Sequence, residues 1–268
     1  MSELDVAIGG FGAIGKKVAA RLDEGLPGLR LAAVSARDAA RAQAVVAKFR
    51  RPVPVVALGE LPGHADVVVE CAPAEVFLQV AEPALRAGKT LVVISVGALL
   101  AHPGMEDLAR ASGARIVVPT GALLGLDAVQ AAAEGQIQSV TLSTRKPPAG
   151  LEGAPHLVKN NISVRGLTAP LKVFEGSARE AVKGFPANVN VAAALSLAGI
   201  GPDRTMIEVW ADPAVTRNLH SIRVVADSAE FSMQIANVPS ENPKTGRITA
   251  LSVIAALRKL GGTLRIGT

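Results

Sequence analysis

The apolar positions of the chain follow two patterns, one after the other. Through residues 1–119, short apolar runs alternate with stretches of helical spacing. Leu4 to Ile8, Leu29 to Val34, Val53 to Val56, Asp66 to Glu70, Thr90 to Ser95 and Arg115 to Val118 read as strands. Lys16 to Leu22, Ala39 to Phe49, Ala74 to Ala87 and Met105 to Ala111 carry apolar residues every three or four positions, as one-sided helices do. The run Asp66-Val67-Val68-Val69-Glu70 is apolar at successive positions, so both of its faces are expected to be buried. Strand and helix in alternation predict an α/β fold, a doubly wound parallel sheet with helices on both faces.

At Pro119-Thr120-Gly121-Ala122 the rhythm changes. A helix over Leu123 to Ala133 precedes strand-like runs at Ile137 to Thr144, Leu171 to Glu175, Thr205 to Ala211, Leu219 to Ala226 and Glu230 to Ala236. These predict a second α/β domain with a mixed sheet, over residues 120–248. The stretch Arg145 to Pro170 is too long for a simple connector and reads as a binding loop. The uncharged run Phe185 to Pro202 holds Asn188, Asn190 and Ser196, which favours a buried helix over a membrane span. Residues 249–260 form an amphipathic helix expected to pack back on the first domain.

The first strand runs into Gly10-Phe11-Gly12-Ala13-Ile14-Gly15, a G-x-G-x-x-G turn that opens a helix. Strand before and helix after are the context in which this motif binds a dinucleotide. Gly10 permits the tight turn, Gly12 lets a pyrophosphate approach the backbone, and Gly15 lets helix and strand pack closely. The leading amides at Ala13, Ile14 and Gly15 offer donors and a positive dipole end to that anion. The second strand ends in Ser35-Ala36-Arg37-Asp38, with no acid at its tip to hold the ribose 2′-hydroxyl of NAD. A guanidinium at Arg37 suits the 2′-phosphate of NADP, and a solvated arginine is the competing reading. NADP or NAD is the expected cofactor. Asp38 is placed to cap the next helix. Ala72 and Pro73 follow the fourth strand, where cofactor-facing loops of a doubly wound sheet lie.

Composition narrows the function classes. The chain has 268 residues, 49% of them apolar and 3% aromatic, with no tyrosine, so Ala, Val, Leu and Ile must build the cores. The net charge of +5 is dispersed. Without clustered cations or stacking aromatics, nucleic acid is not an expected partner, whereas anionic small molecules are. One cysteine, Cys71, excludes an internal disulfide, and no cluster has metal-ligand spacing. The acidic start, Met1 to Asp5, lacks a signal-peptide core, and a cytoplasmic protein with no membrane partner is expected.

Four histidines are present. His64, His102 and His156 lie in loop-like sequence. His220 begins a second-domain strand and is the best-placed of the four for proton transfer, but spacing alone suits an ordinary surface or satisfied histidine better. Arg145-Lys146 before Pro147-Pro148 suggests an anion site for a substrate carboxylate; a charged strand end is the competing reading. In Pro186-Ala187-Asn188-Val189-Asn190, one asparagine caps a helix and the other is available to a cofactor.

Several separated stretches together resemble the L-aspartate dehydrogenase family, relatives of dihydrodipicolinate reductase. They are Gly9 to Gly15, Pro119 to Ala128, Ser143 to Pro148, Phe185 to Ala192, and Ala211-Asp212-Pro213 leading to Asn218-Leu219-His220. The resemblance implies a Rossmann-type domain, a substrate domain, a homodimer, and reversible oxidation of L-aspartate to iminoaspartate, feeding oxaloacetate or NAD biosynthesis. It implies His220 as acid–base and Ala122 and Asn188 as cofactor contacts. The acid-free tip at Ser35 to Arg37 departs from strict NAD preference. Thr120 and Leu124 stand where the family often has serine and a smaller residue, which bears on substrate choice. Two alternatives stay open: another NADP-linked amino-acid dehydrogenase or imine reductase, and a non-catalytic NADP sensor.

Overall fold

The computed structural model describes residues 3–185, 190–240 and 246–267. The chain divides into two units: residues 1–121 with 249–266, and residues 122–248 with the last two residues.

The first unit runs β1 (Leu4–Gly9), α1 (Ala13–Glu24), β2 (Leu29–Ser35), α2 (Ala39–Val46), β3 (Val67–Glu70), α3 (Phe77–Arg86), β4 (Thr90–Val93), α4 (Val96–Ala101), α5 (Gly104–Ser112) and β5 (Arg115–Val117). The sheet order is β2-β1-β3-β4-β5, every pair parallel. Strand order reverses beside β1, so the crevice past its carboxyl end is a topological switch point. Alternation along the strands feeds two cores. Val6, Ile8, Val67 and Val69 face one, and Ala7, Val68 and Leu91 face the other.

The expected strand at Val53 to Val56 is reduced to a single parallel bridge, Val34 to Val55. The Pro54 carbonyl accepts from the Val34 amide, but Pro54 has no N–H to extend a ladder. Asp38 caps α2, its carboxylate accepting from the Arg41 amide at 2.9 Å.

The second unit contains α6 (Leu126–Ala133), β6 (Ile137–Lys146), α7 (Pro155–Lys159), β7 (Leu171–Ser177), α8 (Ala178–Gly184), α9 (Asn190–Ala198), β8 (Thr205–Ala211), β9 (Leu219–Ala226) and β10 (Glu230–Ala236). Its sheet is mixed, in the order β10-β9-β6-β8-β7, with only β6 and β8 parallel. Within the stretch expected to be one irregular loop, Pro155 starts α7 at a position where its missing N–H costs nothing. The last helix, α10 (Arg247–Gly261), sends Val253, Ile254 and Leu257 into the core that holds Val6 and Ile8 of the first unit. Among the described residues no helix is long and apolar enough to cross a membrane.

Candidate functional site

In the first unit, the turn after β1 is fixed by backbone. The Gly10 amide donates to the Ser35 carbonyl at 3.0 Å, and the Cys71 amide donates to the Gly9 carbonyl at 2.7 Å. Gly10 has φ +104°, and a Cβ there would lie 2.5 Å from the Cys71 carbonyl oxygen and 2.7 Å from the Ala72 nitrogen. Only glycine fits, both for conformation and for space. A Cβ on Gly15 would collide with the Gly10 carbonyl, so α1 must begin against bare main chain. Gly12 differs: a Cβ there would meet no atom within 4 Å. Its openness is therefore not a packing requirement of the chain itself. Gly12 is also the N-cap of α1 and supplies no side-chain cap, and no acid occupies the first turn. The amides of Ala13, Ile14 and Gly15 thus begin a helix with no acidic side chain competing for an incoming anion. The residues fit a dinucleotide's pyrophosphate.

Arg37 is exposed, two residues past β2, while Ser35 is buried. Ala72 is nearly buried and Pro73 exposed. The loop that carries them is held by Glu70, a fully buried carboxylate at the end of β3. Its Oε1 accepts from the Ala72 amide at 3.0 Å and the Ser95 hydroxyl at 3.0 Å; its Oε2 accepts from the amides of Ser95 at 2.8 Å and Ile94 at 3.2 Å. Glu70 so ties the exit loops of β3 and β4 together. Burial pushes its carboxyl above the usual range, and the four donors oppose that push. Neighbouring Cys71 is half-buried, and its thiol is pushed up by burial and by the Glu70 charge. It is protonated at neutral pH and no nucleophile.

In the second unit, the candidate chemistry lies on one face of the sheet. Alternation along β6 puts Val140, Leu142, Thr144 and Lys146 on the buried face. On β9, His220, Ile222 and Val224 share it. Thr144 and His220 are register partners across the antiparallel pair, and Thr144 Oγ1 lies 3.1 Å from His220 Nδ1. Exposures are 5% for Thr144, 5% for Lys146 and 3% for His220. Burial lowers the Lys146 ammonium to about 8. Burial, then the Lys146 charge, lowers His220 to about 3. The influence runs one way because the ring is already neutral when Lys146 titrates. At neutral pH the face thus presents a neutral imidazole beside an ammonium: a proton acceptor and an anion partner.

Alternation also separates the two cations expected to act together. Arg145 projects to the opposite face from Lys146. It donates to Asp212 Oδ2 at 3.0 Å and stacks over the Trp210 ring, 4.8 Å from its centroid. The structure therefore places His220 and Lys146 on one face of the sheet and Arg145 on the other. Asp212 also accepts from the Ala214 amide, so the Ala211-Asp212-Pro213 stretch shapes the entry to β9. The Ala122 carbonyl accepts from Asn237 Nδ2 at 2.9 Å. Asn188 lies outside the described residues. His156 packs edge-on against Phe174 and beside Phe185. A cavity of about 20 Å³ bounded by Thr144, Lys146 and Phe185 has room for one water. Among the described residues no cluster could hold a metal ion.

Neither Thr144 nor Glu70 carries a sequence motif that marks it for the site. Thr144 sits two positions before Lys146, so a shared face was readable, but its pairing with His220 depends on strand register. Glu70 was visible only as the polar end of an apolar run.

Two family profiles match the chain: one described as "Aspartate dehydrogenase, C-terminal" over residues 127–260, the other as "Homoserine dehydrogenase, NAD binding domain" over residues 10–119. The chain is 61% identical over 267 residues to an L-aspartate dehydrogenase of Bradyrhizobium diazoefficiens, covering 100% of this chain and 95% of that one. It is 60% identical over 267 residues to L-aspartate dehydrogenase 3 of Bordetella bronchiseptica, covering 99% and 98%. The crystal structure of the aspartate dehydrogenase from Thermotoga maritima superposes with a TM-score of 0.76 at 27% identity, covering 98% of this chain and 99% of that one.

Proposed function

The chain belongs to the L-aspartate dehydrogenase family, and we propose that it catalyses the reversible NAD(P)-dependent oxidation of L-aspartate to iminoaspartate, which water converts to oxaloacetate and ammonia. The observation that carries this reading is the neutral imidazole of His220 beside the ammonium of Lys146 on one buried sheet face. Amine oxidation requires a base for the nitrogen-bound proton, and a dicarboxylate requires a cation.

In this reading the first unit holds the cofactor through Gly10, Gly12 and the amides of Ala13, Ile14 and Gly15, with Ala72 and Pro73 alongside. Arg37 favours the 2′-phosphate of NADP without excluding NAD. The nicotinamide, when bound, supplies the acceptor for the hydrogen that leaves Cα with its electron pair. His220 takes the proton released as the carbon–nitrogen bond gains double-bond character, and returns it in the reverse reaction. Lys146 pairs with a substrate carboxylate. An ammonium held at about 8 by burial gains more from such a pairing than a solvated one. Arg145, already engaged by Asp212, keeps the strand end in place instead.

The family resemblance supports a homodimer, which light scattering would read as about twice the 27.4 kDa of one chain. The lone cysteine supports a reducing, cytoplasmic setting. The deciding experiment is steady-state turnover with L-aspartate, and with oxaloacetate plus ammonia, using NAD and NADP in parallel. Turnover with L-aspartate far above that with other amino acids supports the proposal. Cofactor binding without turnover on any amino or keto acid would point to the sensing role instead.

A further inference from the structure

The contact between Thr144 and His220 has a partner whose direction is not fixed. A threonine hydroxyl donates one hydrogen bond and accepts others, and a neutral imidazole carries one proton on either nitrogen. Two arrangements satisfy the 3.1 Å separation. In one, the hydroxyl donates to Nδ1 and the ring proton sits on Nε2. In the other, Nδ1–H donates to Oγ1 and Nε2 keeps a free lone pair. Only the second leaves the ring a nitrogen able to take a proton. Protonation at Nε2 then leaves the Nδ1–H bond to Oγ1 in place, so no ring movement is needed.

Packing does not demand a hydroxyl here. The neighbours on this face are Leu142 and Lys146 of β6, Val209 of β8 and Ile222 of β9, all buried, and all but Lys146 apolar. Valine has nearly the shape of threonine and favours strands as strongly. A buried hydroxyl without a partner would be a cost, and the partner it has is the ring of the proposed base.

We infer that Thr144 is a positioning residue for this reaction: its hydroxyl accepts the Nδ1 proton of His220, fixes that tautomer, and leaves Nε2 as the atom that exchanges a proton with substrate. The inference rests on His220 being the base. It adds a consequence: because the partner is a neutral hydroxyl and not a carboxylate, the bond at Nδ1 stabilises the charged ring far less than an ion pair would. The Lys146 ammonium disfavours the charged ring. His220 therefore gives the proton back readily, as a reversible reaction requires.

The test combines ring-nitrogen NMR with kinetics on the full-length wild-type, Thr144→Val, Thr144→Ser and His220→Ala proteins. Long-range proton–nitrogen correlations report each histidine's tautomer, and His220→Ala identifies the His220 signals by their loss. The expected result is Nδ1–H with an unprotonated Nε2 in the wild type. Thr144→Val shifts the ring toward Nε2–H and lowers kcat by about ten- to a hundredfold, with KM for L-aspartate changed less than about threefold. Thr144→Ser restores the wild-type tautomer and most of the kcat. A wild-type ring protonated on Nε2 would overturn the inference, as would a Thr144→Val enzyme with unchanged kcat. Full turnover by His220→Ala would instead remove the base itself, whatever the tautomer; the nitrogen shifts keep the two failures apart.

Discussion

Replacing Lys146 with methionine should make the second unit more stable and the enzyme worse. Methionine keeps the length and apolar bulk of the side chain and discards the ammonium. In the folded protein burial lowers that ammonium from 10.5 to about 8. At about 1.4 kcal/mol per tenfold change in proton affinity, this difference corresponds to about 3 kcal/mol of destabilisation at neutral pH. Lys146 also makes an interaction that methionine forfeits, so a net gain of about 1 to 3 kcal/mol is expected. The pH dependence has a definite sign. Below about 8 both folded and unfolded lysines are charged, and the penalty is complete. Between about 8 and 10.5 the unfolded chain binds more protons than the folded one, so wild-type stability rises with pH and the methionine advantage shrinks. Trp210, the only tryptophan, lies in β8 and reports on the second unit alone. Its fluorescence during urea unfolding should show a higher midpoint for Lys146→Met near pH 7, converging with wild type near pH 10.5. KM for L-aspartate should rise at least tenfold, as expected when a charged hydrogen bond is lost. A variant less stable than wild type at pH 7, or an advantage that does not shrink with pH, would refute the reasoning.

Other consequences are as direct. Gly10→Ala places a methyl 2.5 Å from the Cys71 carbonyl at φ +104°, so thermal melting should show a large loss of stability. Gly12→Ala adds a Cβ that meets no atom within 4 Å and should fold, while titration calorimetry shows lowered cofactor affinity. Glu70→Gln sets an amide N–H₂ against donors that the carboxylate accepts from; about 1 to 3 kcal/mol of stability should be lost, with weaker cofactor binding, measured by melting with and without cofactor. An unfolded histidine takes its proton near 6.5, and folded His220 only near 3, so His220 makes the native state lose stability as pH falls through that window. For the same reason kcat/KM should show no acid limb from His220 between about pH 5 and 7. A limb centred near 6.5 that vanishes in His220→Ala would contradict this environment for the ring.

The sheet framework was legible because its strands are continuous apolar runs and its helices keep a steady period. The second unit's strands were legible instead from alternation of apolar and polar positions, with β8, β9 and β10 at their observed bounds. Shorter elements were not. Helix α8 was passed over although Ser177-Ala178-Arg179-Glu180 is a capping box, with Ser177 and Glu180 bonded reciprocally. Helix α4 is six residues of Val, Gly, Ala and Leu with no polar face to mark a period. Of the candidate site, the glycine turn was readable from local pattern, while the role proposed for His220 came from the family resemblance and not from its spacing. The separation of Arg145 from Lys146 was readable too, since adjacent strand residues point to opposite faces. It required treating both as strand, and β6 runs two residues past the expected end at Thr144. Contacts that join distant segments, Thr144 with His220 and Glu70 with Ser95, depend on sheet order and register, which no local window contains.

The most direct test of the account is the turnover of L-aspartate by His220→Ala beside wild type, with cofactor affinity measured on both. The account predicts that kcat falls at least a hundredfold while the cofactor dissociation constant changes by less than about threefold. A variant that oxidises L-aspartate at the wild-type rate would contradict it.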